Sequence, residues 1–118
     1  MAFDRDLADR IHAVLSDVPA VTGKPMFGGY GVFRRGVMFA GVWRSSLLVK
    51  LRAGMADALL EPHTAGFDPF GKGMTMKGWV VVDPPATESD EKLREWLDRA
   101  LAAIPPGAKK SPPKKRKK

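Results

Sequence analysis

The fold is decided by residues 26–52, which read MFGGYGVFRRGVMFAGVWRSSLLVKLR. Three apolar runs, at 26–34, 37–43 and 47–52, are separated by two short polar segments, and each run has the length and composition of a β-strand. Gly36 can adopt the positive φ that a tight turn between strands needs. The stretch therefore predicts three consecutive strands joined by tight turns.

Alternation along these runs assigns their side chains to the two faces of the sheet. In the third run Leu47, Val49 and Leu51 are expected to face the core. In the second run, which is apolar on both faces as a central strand should be, Phe39 and Trp43 are four residues apart. We therefore expect Phe39 and Trp43 to share one buried face.

The flanking segments predict helices on either side of this sheet. Apolar spacing predicts an amphipathic helix over 3–18, a short helix over 53–60 and a final helix from 87–89 to 104, where Thr87 and Asp90 have capping-box spacing. A loop over 63–73, with a short edge strand near 67–70, precedes a last strand over 74–82. The order α-β-β-β-α-β-β-α predicts an α+β domain with a mixed, largely antiparallel sheet over residues 1–104.

Two glycine motifs resemble phosphate-binding loops, but the residues and predicted elements around them do not fit such loops. Residues 66–72, GFDPFGK, satisfy G-x-x-x-x-G-K, but Gly73 follows where a magnesium-binding hydroxyl is required, and Pro69 removes a backbone N–H donor. Residues 28–31, GGYG, are followed by a strand and not by the helix of a dinucleotide-binding turn. In a β-ribbon such glycines more often mark a twist, a bulge or close packing on the backbone.

The composition excludes several kinds of chemistry. The chain has 118 residues and no cysteine, which excludes disulfides, thiolate catalysis and cysteine-based zinc sites. His12 and His63 are its two histidines, and no metal-ligating cluster accompanies them, so we expect neither a metal nor another cofactor. The N-terminal residues MAFDRDLADR do not resemble a secretory signal, and we expect a cytoplasmic or nucleoid-associated protein.

The strongest functional signal is the charge of the last ten residues, KKSPPKKRKK. They contain seven of the twenty basic residues. The remaining thirteen basic residues equal the thirteen acidic residues in number, so residues 1–108 are formally neutral. We expect residues 105–118 to be a disordered tail that contacts DNA or RNA phosphates without sequence specificity. The predicted nucleic-acid-binding residues are Lys109, Lys110, Lys114, Lys115, Arg116, Lys117 and Lys118.

A second basic group lies on the predicted strands and their turns. It consists of Arg34, Arg35, Arg44, Lys50 and Arg52. Aromatic residues are interleaved with these cations, a combination that often holds single-stranded nucleic acid. The alternative is an ordinary solvated face, and the sequence alone leaves both open.

The central stretch also resembles the N-terminal domain of the TfoX/Sxy proteins, which are bacterial regulators of competence. The features that carry the resemblance are Met26-Phe27-Gly28-Gly29, Gly36 before Met38-Phe39, the run at 47–51 and the stretch 59–84, which is similar to the single-domain branch of the family. The resemblance implies an α+β fold with a curved sheet of about five strands. It also implies a regulatory role in competence or transcription, and no catalytic residue set.

Three functions remain as hypotheses. The first is a non-enzymatic regulatory module that associates with nucleic acid through its tail. The second is a protein–protein interaction module whose tail only aids solubility and whose binding surface is the open sheet face or a strand edge. The third is an unrecognised small-molecule binder or enzyme, with a pocket lined by Trp43, Trp79 or His63. An anionic membrane surface would also attract the tail, but we expect no membrane association.

Overall fold

A computed structural model describes residues 3–26, 29–68, 71, 73 and 75–104. In chain order the helices and strands are α1 (Arg5–Val14), β1 (Val21–Met26), β2 (Gly29–Arg34), β3 (Val37–Trp43), β4 (Ser46–Lys50), α2 (Met55–Ala58), β5 (Thr64–Gly66), β6 (Trp79–Val82) and α3 (Asp90–Ala102). The strands form one antiparallel sheet of order β1-β2-β3-β4-β6-β5. The predicted α+β class is confirmed.

The predicted first strand over 26–34 corresponds to β2, which begins at Gly29, and an unpredicted strand, β1, precedes it. β1 and β2 pair antiparallel, with Met26 opposite Gly29 and Val21 opposite Arg34. The sheet therefore has six strands, close to the predicted number, and the predicted order of elements gains one strand after α1. Phe27 and Gly28 lie outside the described residues. The glycine motif belongs to a β-ribbon, as its context predicts.

A β-bulge in β3 corrects the predicted orientation of Phe39. Val32 pairs with Ala40 and Phe33 with Met38, which leaves Phe39 without a partner residue in β2. The extra residue reverses the alternation along β3. Phe39 is consequently buried in the main core, whereas Trp43 packs with a second cluster. The expectation that both share one face is wrong.

One face of the sheet packs against α1 and α3 and forms the main core. Fully buried members of that core include Ile11, Leu47, Val49, Leu93 and Leu97. These positions agree with the apolar spacing of the predicted helices and with the predicted core-facing side of β4. We call this the inner face, and the opposite side the outer face.

The helix ends are set by capping side chains. The Asp4 carboxylate accepts a hydrogen bond from the Leu7 N–H, so α1 begins at Arg5, two residues later than predicted. Ser89 caps α3 by accepting from the Lys92 N–H. The predicted capping role of Thr87 is wrong, because its hydroxyl donates to the Pro84 carbonyl within a short 3₁₀ turn.

Arg94 ties the end of α1 to α3. Its guanidinium donates to the Val14 carbonyl at 2.7 Å, to both carboxylate oxygens of Asp17 and to Asp98. The hydrogen bond from Arg94 is the main cause that lowers the pKa of Asp17 below its ordinary value of 3.8. Ionised Asp17 is therefore stabilised in the folded state.

This ion pair predicts a specific dependence of stability on pH. Because the folded-state pKa of Asp17 is lowered, its contribution is fully present above pH 3.8 and is lost as the pH falls through the folded-state value. We expect Asp17→Asn to lower the melting temperature at pH 7 and to lower it less as the pH falls below about 4. Thermal melts across pH would show this, with Asp57→Asn as the control. An Asp17→Asn effect that stays constant down to pH 2 would contradict it.

Candidate functional site on the outer face of the sheet

A second apolar cluster lies on the outer face, where neither long helix covers the sheet. Leu48, Phe67 and Trp79 are buried there, and Met38, Trp43 and Val81 pack against them. Leu48 is opposite Gly41 on one side and Val81 on the other, so the cluster follows the pairing of β3, β4 and β6. Phe67 follows β5 and meets the Trp43 ring edge-on, with 5.3 Å between the ring centroids.

These residues line a half-open cavity of about 480 Å³. Its walls are apolar and aromatic, and include Met38, Trp43, Leu48, Phe67, Met76 and Trp79. Trp43 and Trp79 were expected to line any small-molecule site, and they do line this cavity. His63 is not among its lining residues; it lies in the turn before β5, with a φ of 65°. The cavity has the size of pockets that hold small organic molecules.

Glycines on β2 and β3 make room for the cavity walls. A Cβ atom at Gly31 would lie 2.7 Å from the Met26 sulfur and 3.2 Å from the Met38 terminal carbon. A Cβ atom at Gly29 would lie 3.2 Å from the Trp43 ring. Gly29 and Gly31 of the MFGGYG motif therefore permit close packing on the sheet.

Gly41 provides a direct test of this close packing. A Cβ atom there would lie 2.5 Å from the backbone oxygen of Tyr30, so an alanine would force β2 and β3 apart. We expect Gly41→Ala to lower the free energy of unfolding by about 1–3 kcal/mol. The control is Gly54→Ala, whose Cβ would meet only the Leu51 Cβ at 3.7 Å. Urea denaturation that gave equal stabilities for the two variants would contradict the close approach.

Three cations lie over aromatic rings of the strands and turns around this face. The Lys24 Nζ lies 5.8 Å from the Phe33 centroid, the Arg44 guanidinium carbon 6.0 Å from Trp43, and the Lys50 Nζ 5.7 Å from Trp79. Such contacts are attractive because the ring faces carry partial negative charge. Lys50 is opposite Trp79 in the sheet register and so lies beside the cavity wall.

Burial lowers the pKa of Lys50, and the positive charge of Arg52 lowers it further. In the part of the chain that the structure describes, the ion pairs found are Arg10–Asp90, Arg94–Asp17, Arg94–Asp98 and Arg99–Glu61, all of which involve α1 or α3. Lys24, Arg44 and Lys50 take part in none of them. The outer face therefore carries positive charge that no described carboxylate neutralises by direct contact.

The five predicted basic residues of the strands are distributed over both ends of the sheet. Arg34 and Arg35 lie at the turn between β2 and β3, and the Arg34 Nε is buried without a hydrogen bond to any described residue. Arg44 lies in the turn between β3 and β4, at the opposite end of β3. Lys50 ends β4, and Arg52 begins a 3₁₀ turn. The structure thus brings Lys50 and Arg52 together and places Arg44 apart from Arg34 and Arg35.

The seven predicted tail residues, from Lys109 to Lys118, lie outside the described residues. Among the described residues, no group of three or more histidines, aspartates and glutamates could hold a metal ion. The same residues include no helix that is long and apolar enough to cross a membrane.

Sequence reasoning missed a polar contact between α1 and the sheet. The Nε2 atom of His12 lies 2.7 Å from the Tyr30 hydroxyl, so the two form a hydrogen bond, and the Phe3 ring packs against Tyr30 at 5.3 Å. Burial raises the pKa of Tyr30, and the charge of Asp9 raises it further. Gly23 makes room for the pair, because a Cβ there would meet both polar atoms. This hydrogen bond links α1 to β2 on the inner face of the sheet.

The fold and this face define an α+β domain with one helix-covered sheet face and one open aromatic face. The chain matches the family model of the TfoX N-terminal domain over residues 13–104 and belongs to that family. No curated protein and no solved structure matches the chain significantly. The family is regulatory and related to competence, and it is not known as a family of enzymes.

Proposed function

We propose that the chain is a non-enzymatic regulatory module that associates with nucleic acid through residues 109–118. The observation that carries this proposal is the segregation of charge: seven cations and no acid occupy the last ten residues, while residues 1–108 are formally neutral. Binding to phosphates releases counterions and so favours a dense cationic segment over a dispersed one. The expected partners are DNA and RNA, contacted without sequence specificity, and the role is accessory to transcription or competence.

The cations of the outer face favour a secondary contribution of the sheet to nucleic-acid binding. Arg44 and Lys50 are in no ion pair among the described residues, and both lie over tryptophan rings. Phosphates that the tail brings close to the domain would meet these cations. Together with Arg34, Arg35 and Arg52 they would add a weaker electrostatic contribution to binding.

The test compares the full chain with a variant that ends at Ala108, using fluorescence anisotropy with labelled random-sequence DNA and RNA. We expect the full chain to bind and the shortened variant to bind far more weakly at low salt. A matched variant keeps the length and the prolines but replaces the seven basic tail residues by glutamine, and it should behave like the shortened chain. Equal binding by all three proteins would contradict the proposal.

A second candidate function is a protein–protein module, and the aromatic outer face favours it. The strand edges suit this role less well. The β1 edge carries Lys24 and Pro25, which hinder the addition of another strand, and β5 at the other edge has only three residues. Under this alternative the shortened chain would retain a specific protein partner and neither form would bind nucleic acid.

A further inference from the structure

The cavity on the outer face is half-open to solvent and has a volume of about 480 Å³. Its walls are apolar and aromatic, whereas the other grooves found on the described residues are lined in part by charged side chains. Three of its wall residues are held in the packed part of the outer face: Leu48, Phe67 and Trp79 are at most 9% exposed. A space of this volume with apolar walls suits the apolar body of a small molecule.

The shape and exposure of the rings decide which occupant fits best. Bases of single-stranded nucleic acid need open aromatic faces on which to stack. Here Trp79 and Phe67 are buried, and Lys50 and Arg44 already lie over the faces of Trp79 and Trp43. A compact molecule that enters the cavity from the side of half-exposed Met76 fits this arrangement better than a stack of bases.

The positive charge at the rim of the cavity favours an anionic ligand. Lys50 lies beside Trp79, in no ion pair among the described residues, and its ammonium group is partly desolvated. Arg44 lies beside Trp43 at the other end of β4, which is five residues or roughly 15 Å long. An anionic group on a ligand would therefore be attracted to a cation at either end of the cavity, whereas an ammonium group would be repelled.

We propose that this cavity binds a small amphipathic carboxylate, with an aliphatic or aromatic body of about ten carbons between Trp43, Phe67 and Trp79 and its carboxylate at Lys50. The apolar body contributes affinity through burial of its surface. Lys50 orients the molecule and selects an anion over a neutral molecule of the same length. This site uses none of residues 109–118, and it shares Lys50 with the basic residues of the sheet.

The test uses the full chain and three probes of different chemistry: decanoate below its micelle concentration, 1-decanol and acetate. Tryptophan fluorescence reports on the site because two of the three tryptophans line the cavity. We expect saturable decanoate binding in the micromolar to low millimolar range, weaker binding of decanol, and no response to acetate. Acetate also controls for carboxylates that associate with the basic tail.

Two lysine variants locate the carboxylate. Lys50→Gln should weaken decanoate binding about fivefold and leave decanol binding unchanged, because only the anion contacts the rim lysine. Lys92→Gln removes an exposed lysine of α3, the helix on the inner face of the sheet, and should leave both unchanged. Absence of saturable decanoate binding would overturn the proposal. Equal affinity for decanoate and decanol, or equal effects of the two lysine variants, would overturn the assignment of an anionic ligand to Lys50.

Discussion

Phe39→Ala is expected to lower the free energy of unfolding by about 3–5 kcal/mol, the usual cost of removing a buried phenylalanine side chain. Phe39 is 1% exposed and belongs to the main core between the sheet and the helices. The bulge in β3 places it there. Phe33→Ala is the control, since Phe33 is half-buried and pairs with Met38 on the outer face. Urea denaturation should show a much smaller loss for this control.

A double-mutant cycle then tests the bulge itself. With Phe39 on the inner face and Trp43 on the outer face, the two side chains belong to separate clusters. Their alanine substitutions should therefore be additive within about 0.5 kcal/mol. A coupling energy well above that, together with a loss below about 1.5 kcal/mol for Phe39→Ala alone, would mean that the two side chains share a face and that the bulge is absent.

The sequence predicts the class of this fold because its strongest signals are local. Helical spacing locates α1 and α3, and the tight turn at Arg35-Gly36 is confirmed by φ values of 53° and 83°. β1 is missed because its residues, VTGKPM, include glycine, lysine and proline, which are uncommon in central strands. Proline is tolerated there because β1 is an edge strand, a property of the assembled sheet and not of the segment.

The bulge and the cavity depend on contacts that alternation cannot reveal. β3 is apolar on both faces, so a shift of one residue leaves its hydrophobic pattern almost unchanged. The cavity is formed by Trp43, Phe67 and Trp79, which come from three separate parts of the chain. Both tryptophans could be proposed as lining residues, but the role of Lys50 beside Trp79 follows only from the pairing of β4 with β6.

Neutralising the basic tail is expected to have the largest effect on binding. If all seven cations contact phosphates, duplex DNA affinity should vary with salt with a logarithmic slope of about −6. Such a slope corresponds to a loss of roughly 10³- to 10⁴-fold in affinity between 50 and 200 mM salt. Replacing the seven residues by glutamine should remove most of this dependence. Lys92→Gln, which removes one exposed cation from α3, should change the slope by less than one.

The central functional claim is that the basic tail makes the main contacts with nucleic acid. It is tested most directly by the salt dependence of affinity for random-sequence DNA, measured for the full chain and for the variant that ends at Ala108. We predict a steep slope for the full chain and a much shallower slope, with weak binding, for the shortened one. Identical slopes and affinities would contradict the claim and would assign any binding to the folded domain.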